Sequence, residues 1–228
     1  MHKILENFFN FLDNYHQNRI IKNLKSLKLQ KIIDVGSHKG EFLSYAIKID
    51  NIAQIFAFEP QKEINRLLKE KFGKFDYIKI FDCALDDNIS KKYIYINKLT
   101  STSTLSEFNN NSIYLKFKNL ILGSKKNFID KYTVETNTID NIFKEIELSN
   151  SLLKIDVEGF EINVLKGSSK KLKEISYILV ENQFGNHYKN NNTVSVYEFL
   201  KDNNFKVIKN FYFPTLHFKD VLYKNEKN

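Results

Sequence analysis

Residues 31–40 read Lys-Ile-Ile-Asp-Val-Gly-Ser-His-Lys-Gly, and this stretch decides the fold class. Ile32, Ile33 and Val35 make a short apolar run that breaks at Gly36. Helical spacing resumes at Glu41 and continues to Ile49. Strand, glycine turn and helix in that order open a βαβ unit. The alternation then repeats. Ile55 to Phe58 reads as a buried strand ending in Glu59-Pro60, Gln61 to Phe72 as a helix with Ile64, Leu67 and Leu68 inward, and Tyr77 to Phe81 as a strand. Downstream, Leu152 to Asp156 and Tyr177 to Val180 read as strands, the latter ending in Glu181-Asn182. Phe160 to Lys166 and Val194 to Lys201 read as helices, and Phe205 to Phe211 and Phe218 to Tyr223 as the last strands. Strands alternating with helices predict an α/β protein with a parallel, doubly wound sheet.

Two regions flank this pattern. Residues 2–27 have helical periodicity, with Ile20, Ile21, Leu24 and Leu27 on one side and Arg19, Lys22, Lys25 and Lys28 three apart on another. They suggest a helical extension over residues 1–30, ahead of a domain over 31–228. The region from Leu85 to Ser151 is long for a crossover and reads as an insertion near the site, a lid or a substrate wall. Within it Tyr93 to Ile96 and Tyr132 to Asn137 look like strands, and Thr138 to Ile146 like a helix capped by Thr138. The hydroxyls between Thr100 and Thr104 suit either a polar acceptor or a plain polar loop.

Composition narrows the class. The 228 residues are 42% hydrophobic, enough for one sizeable core, and 7 glycines with 2 prolines exclude collagen-like and Pro/Gly-rich chains. The single cysteine, Cys83, excludes a disulfide framework and a cysteine zinc cluster. Glu6, Asp13 and His16 interrupt the first apolar residues, and no run reaches the roughly 20 apolar residues of a membrane span. A soluble, cytoplasmic protein is the expectation. The net charge of +8 is compatible with a nucleic-acid partner, but the lysines are spread over the whole chain, which favours a compositional habit over a basic patch.

The turn at Asp34-Val-Gly36-Ser37-His38-Lys-Gly40 offers close backbone approach and free amide groups at a helix start. Glu59 follows the glycines by about twenty residues, the spacing of a carboxylate that accepts from ribose hydroxyls. Asp34 occupies the place of the first glycine of a dinucleotide fingerprint, which suits a ligand with an ammonium group over a pyrophosphate. Both features favour S-adenosylmethionine over a nicotinamide dinucleotide. Asp82-Cys83-Ala84 after the third strand lies where an adenine is bordered, with Asp82 either an acceptor for its amine or a plain loop residue.

These residues resemble the FkbM-type S-adenosylmethionine-dependent methyltransferases. The shared blocks are Asp34-Val-Gly36-Ser37-His38-Lys-Gly40, Phe58-Glu59-Pro60, Ala84-Leu85, Thr138-Ile-Asp140, Leu153-Lys-Ile-Asp156-Val-Glu158-Gly159-Phe-Glu161, Val164 to Gly167 and Leu179-Val-Glu181. The resemblance implies a Rossmann-like, mostly parallel seven-stranded sheet with helices on both faces. It also implies S-adenosylmethionine as donor and O-methylation of a hydroxyl on a glycan or other small molecule. Carried over, Asp34, Gly36 and Gly40 contact the methionine part of the donor, and Ser37 and His38 belong to the same loop. Glu59, beside Pro60, holds the ribose, Asp82, Cys83 and Ala84 border the adenine, and Asp156 faces the sulfonium and the acceptor.

An O-methyl transfer needs alignment and removal of a proton from the hydroxyl. Candidate bases are Asp156, Glu158, His38 and His187, with Asp156 best placed at the strand edge and Glu158 or Glu181 as the acidic neighbour that raises its pKa. Glu158 also reads as a carboxylate at a helix N-terminus, and His187 as an incidental loop residue. Asp156, Glu181 and Asn182 could offer oxygen ligands to Mg²⁺, or be hydrogen-bonded loop residues. Two other functions compete. A nucleic-acid methyltransferase is disfavoured: no Asn/Asp-Pro-Pro-aromatic motif occurs, and neither Pro60 nor Pro214 precedes Cys83. A non-catalytic donor-binding module of the same fold is the other.

Overall fold

The structure, a computed structural model, describes residues 2–97, 103–106, 128–184, 193–215 and 218–227. At its centre is β1 (Lys31–Val35), parallel to β2 (Gln54–Phe58) on one side and to β7 (Ser151–Ile155) on the other. With β3 (Ile78–Phe81), β8 (Tyr177–Gln183), β9 (Phe205–Tyr212) and β10 (Phe218–Asn225) they form a seven-stranded sheet ordered β3-β2-β1-β7-β8-β10-β9. β10 runs antiparallel between β8 and β9. The strand order reverses at the β1/β7 boundary, so the crevice for a ligand opens beyond the carboxyl ends of those strands.

Parallel strands covered on both faces read as continuous apolar runs, because each face has its own core. Ile33, Val35, Phe56, Phe58, Leu153 and Ile155 meet α4 (Ile139–Ile142), α5 (Glu161–Lys166) and α6 (Thr193–Asp202). Ile32, Ile55, Ala57 and Leu152 meet α1 (His2–Leu24), α2 (Leu43–Ala46) and α3 (Lys62–Phe72). The second layer depends on Ile20, Ile21 and Leu24 of α1, so the N-terminal helix closes the core. Among the described residues no helix is long and apolar enough to cross a membrane.

Several expected elements change length or orientation. In α3 the buried stripe is Ile64, Leu68 and Phe72 at four-residue spacing, and Leu67, expected inward, lies off that line and is exposed. Helix α2 is shorter than the expected Glu41–Ile49. α4 is shorter than Thr138–Ile146, though Thr138 caps it as expected, accepting from the Asn141 N–H at 3.0 Å. Strand β8 runs through Gln183, so Glu181 and Asn182 lie inside the strand and not beyond it. The insertion adds a small sheet in which β6 (Asp130–Asn137) pairs with β5 (Lys91–Ile96) and with β4 (Ala84–Leu85).

Candidate active site

Gly36 makes the crevice possible. Its φ is +80°, and a Cβ there would lie 1.9 Å from the carbonyl oxygen of Asp156, so only glycine lets the turns after β1 and β7 pass each other. The Gly36 and Ser37 N–H groups both donate to the Phe58 carbonyl, which ties this turn to the end of β2. Gly40, at φ +78°, serves packing: a Cβ would sit 2.2 Å from the Phe72 ring.

Glu59 stands across the turn. It is only 3% exposed, and its Oε2 accepts from the His38 N–H at 3.0 Å while Oε1 accepts from the Gln61 N–H at 2.7 Å. Burial pushes its pKa up, and the two N–H groups pull it back. Each oxygen keeps a lone pair for a further donor. The Asn65 amide donates to the Glu59 and Phe81 carbonyls and locks the ends of β2 and β3 together.

The structure brings Gly36, His38, Glu59, Pro60, Cys83, Ala84 and Asp156 onto one cleft that is partly open to solvent. Asp34, Ser37 and Gly40 do not reach its lining. Asp34 is sealed beneath the turn, Ser37 donates to the Asp34 carbonyl, and Asp82 points away, exposed, with its carboxylate 4.0 Å from Lys69 Nζ. Burial pushes the Cys83 thiol up to about 11, so it stays protonated and is a small wall residue. His187 lies outside the described residues.

A charged layer lies beside the cleft. Lys154 is the cross-strand neighbour of Asp34, and its ammonium is 3.3 Å from Asp34 Oδ1 and 3.2 Å from Asp156 Oδ2. Burial works against that charge, but Asp156 and Asp34 more than offset it and hold the pKa above the usual lysine value. Burial likewise raises the Asp34 pKa, against the pull of Lys154. Carboxylate oxygens of Asp156, Glu158 and Glu181 lie within 4.8 Å of one another. Burial first, then Asp156, Glu158 and Asp220, push Glu181 well above the ordinary carboxylate range. Gln183 donates its amide to both Glu158 and Glu181. Asn182, expected beside Glu181, faces the opposite side of the sheet because strand side chains alternate, and Glu158 takes its place in the cluster.

The insertion supports this layer. Glu158 and Gly159 both have positive φ, +57° and +88°. Thr104 Oγ donates to the Glu158 carbonyl at 2.7 Å and Ser106 Oγ to the Gly159 carbonyl at 2.7 Å. Those two hydroxyls hold a strained turn, and Ser103, Thr104 and Leu105 form a wall of the cleft. His16 of α1 places Nε2 2.7 Å from Asp220 Oδ2, and Asp220 is the cross-strand partner of Glu181. Lys154 carried a signal that residue-by-residue reading missed: a lysine inside the run Leu152-Leu153-Lys154-Ile155 is buried and requires a partner. The His16–Asp220 contact spans 204 residues and has no local signal.

Comparison with known proteins bears on the family and the fold. A 2-O-methyltransferase, NoeI, from Sinorhizobium fredii is 24% identical over 152 residues, which are 66% of this chain and 62% of that protein. The chain thus spans less than two thirds of that relative's length. Among solved structures, M. capricolum TrmK in complex with S-adenosyl-homocysteine superposes with a TM-score of 0.51 at 9% identity, covering 91% of this chain and 68% of that one. The Methanococcus jannaschii fibrillarin pre-rRNA processing protein also gives 0.51, at 12% identity, covering 89% and 69%. At such identities the likeness is one of fold. The family model described as the methyltransferase FkbM domain matches residues 34–207, from the Asp34 turn through the carboxylate layer and into β9. The chain belongs to the FkbM methyltransferase domain family.

Proposed function

We propose that this chain transfers a methyl group from S-adenosylmethionine to a hydroxyl of a glycan or other small molecule. The observation that carries the reading is the order of groups along the carboxyl edge. Glu59 stands at the end of β2, Gly36 at β1, and Asp156 and Glu181 at β7 and β8. Donor recognition and proton removal thus occupy neighbouring strand ends.

The bound donor supplies a methyl carbon already activated by its sulfonium. The chain's own residues supply position and proton removal. Glu59 accepts from the ribose hydroxyls with the lone pairs its backbone partners leave free. Cys83 and Ala84 give an adenine small walls. Asp156, oriented by Lys154, accepts from the acceptor hydroxyl at the cleft. As the oxygen attacks, that proton passes to Asp156 and on to Glu181, whose carboxylate lies within 4.8 Å and has a raised pKa.

Calorimetric titration with S-adenosylhomocysteine tests the donor half. Saturable binding to the wild type, weakened about tenfold or more in Glu59→Ala, is expected. A folded wild type that binds neither this product nor S-adenosylmethionine sinks the reading. A second reading rests on the Asp156–Glu158–Glu181 cluster, whose oxygens suit a divalent cation that acidifies the acceptor hydroxyl. Turnover abolished by a chelator and restored by Mg²⁺ supports it, and turnover indifferent to chelation removes it.

A further inference from the structure

Glu59 owes its orientation partly to a backbone N–H that sits in a strained place. His38 follows Ser37 in a tight turn closed by the Gly40 N–H, which donates to the Ser37 carbonyl at 2.8 Å. The φ of His38 is +46°, a left-handed conformation that glycine adopts freely and a residue with a Cβ adopts at a cost. Both ends of the turn are fixed. The Gly36 and Ser37 N–H groups donate to the Phe58 carbonyl, and Gly40 lies against the Phe72 ring. With the ends fixed, a return of His38 to negative φ turns the planar Ser37–His38 peptide over. The N–H that donates to Glu59 Oε2 at 3.0 Å then points away. Something must hold the turn, and the side chain three residues on does so. Glu41 Oε1 lies 3.0 Å from the His38 ring Nδ1. Burial raises the Glu41 pKa, but the His38 ring more than offsets it and holds the carboxyl below the ordinary glutamate value. The carboxylate is therefore the acceptor and the ring nitrogen the donor. The His38 side chain is mostly buried and lines the cleft, whereas the Glu41 side chain is more than half exposed and does not reach the lining.

We propose that Glu41 is a positioning residue for the donor: its bond to the His38 ring holds the left-handed turn that aims the His38 N–H at Glu59, and so keeps Glu59 set for the ribose hydroxyls. The inference rests on the donor half of the methyl-transfer reading. Glu41 acts through His38 and not by contact with the donor. The arrangement offsets local backbone strain with a side-chain bond on the same loop, at the place where a ligand is to be read.

The test is calorimetric titration of S-adenosylhomocysteine into the full chain and its variants. Glu41→Ala is expected to weaken binding about five- to tenfold, with the melting temperature little changed because the side chain is exposed. Glu41→Gln keeps an acceptor for the ring and should recover most of that affinity. His38→Gly should bind more tightly than His38→Ala, because both lose the ring and only glycine takes the positive φ without strain. In the His38→Gly background, Glu41→Ala should cost nothing further. Hydrogen exchange of the His38 amide, measured without ligand, should be faster in Glu41→Ala than in the wild type. The proposal is overturned if Glu41→Ala binds as the wild type does, if that exchange is unchanged, or if Glu41→Gln binds as weakly as Glu41→Ala. It is overturned equally if His38→Ala binds as tightly as His38→Gly, or if Glu41→Ala weakens binding by the same factor in the His38→Gly background. Each of these failures leaves the donor reading standing. A wild type that binds no S-adenosylhomocysteine overturns the donor reading and the role of Glu41 with it.

Discussion

Lys154 and Asp34 are cross-strand neighbours whose charged atoms lie 3.3 Å apart in the sealed layer under the active-site turn. Asp34 has no exposure, and its oxygens receive no aligned hydrogen bond, so the ammonium is its principal compensation. Lys154→Met therefore leaves a buried carboxylate without its counter-charge. The expected cost is about 3–5 kcal/mol of folding stability, read by chemical denaturation. Because the Lys154 pKa is raised on folding, its charge is in place throughout the range below the ordinary lysine value, and on the acid side the pair ends only where Asp34, whose pKa burial raises, takes up a proton. On the alkaline side its contribution is lost only as pH rises through the still higher folded value. A melting temperature that falls steadily between neutral and mildly alkaline pH would contradict this pairing.

Glu181 and Asp220 should control the acid side of the pH–rate profile. Burial and like charge raise the Glu181 pKa, so activity that needs it ionised falls as pH drops through that value. Asp220→Asn removes one like charge and should move the acid limb to lower pH by about half a unit to one unit. Glu181→Gln should lower kcat about a hundredfold while leaving donor affinity unchanged. A limb that stays fixed in Asp220→Asn assigns the ionisation elsewhere.

Glu161 is a stability liability at neutral pH. Burial pushes its pKa up from the ordinary glutamate value to about 7, while its Oε1 accepts from the Gly159 N–H. The folded state therefore holds the proton more tightly, and stability declines as pH rises from about 4.5 to about 7, then levels off. Glu161→Gln keeps the acceptor and removes the charge. It should gain about 2–3 kcal/mol near pH 8 and almost nothing near pH 4, in parallel melts.

Thr104→Val should loosen the strained turn at Glu158–Gly159 without emptying the core. The lost hydroxyl donates to the Glu158 carbonyl at 2.7 Å and accepts from the Ser106 N–H at 2.9 Å. A cost of about 1–3 kcal/mol is expected, together with faster hydrogen exchange at residues 157–160. Exchange unchanged there would separate the insertion from the turn.

The central strands were legible because a sheet covered on both faces demands mainly apolar runs, and β2 shows one unbroken while β1 and β7 are interrupted only by the paired Asp34 and Lys154. Glu59 was legible for the same reason, since its place follows from the end of a short strand. The acidic cluster was only half legible. Strand alternation, invisible until the end of β8 is known, sends Asn182 away from Glu181, and the positive φ at Glu158 turns that carboxylate inward. Asp34 reads as a ligand contact from its motif, yet its side chain faces the α1 layer and meets Lys154. His16 and Asp220 flank the matched family region on either side, and only three-dimensional closure of the sheet brings them together.

The insertion of β10 between β8 and β9 has a consequence for biosynthesis. Both strands emerge from the ribosome before the strand that joins them, so β8 presents a bare, apolar edge until residues 218–225 are made. During that interval Glu181 has no Asp220 beside it and His16 has no carboxylate to meet. The nascent chain must therefore wait, exposed to aggregation or to a holding chaperone, and the charged layer assembles only when β10 arrives.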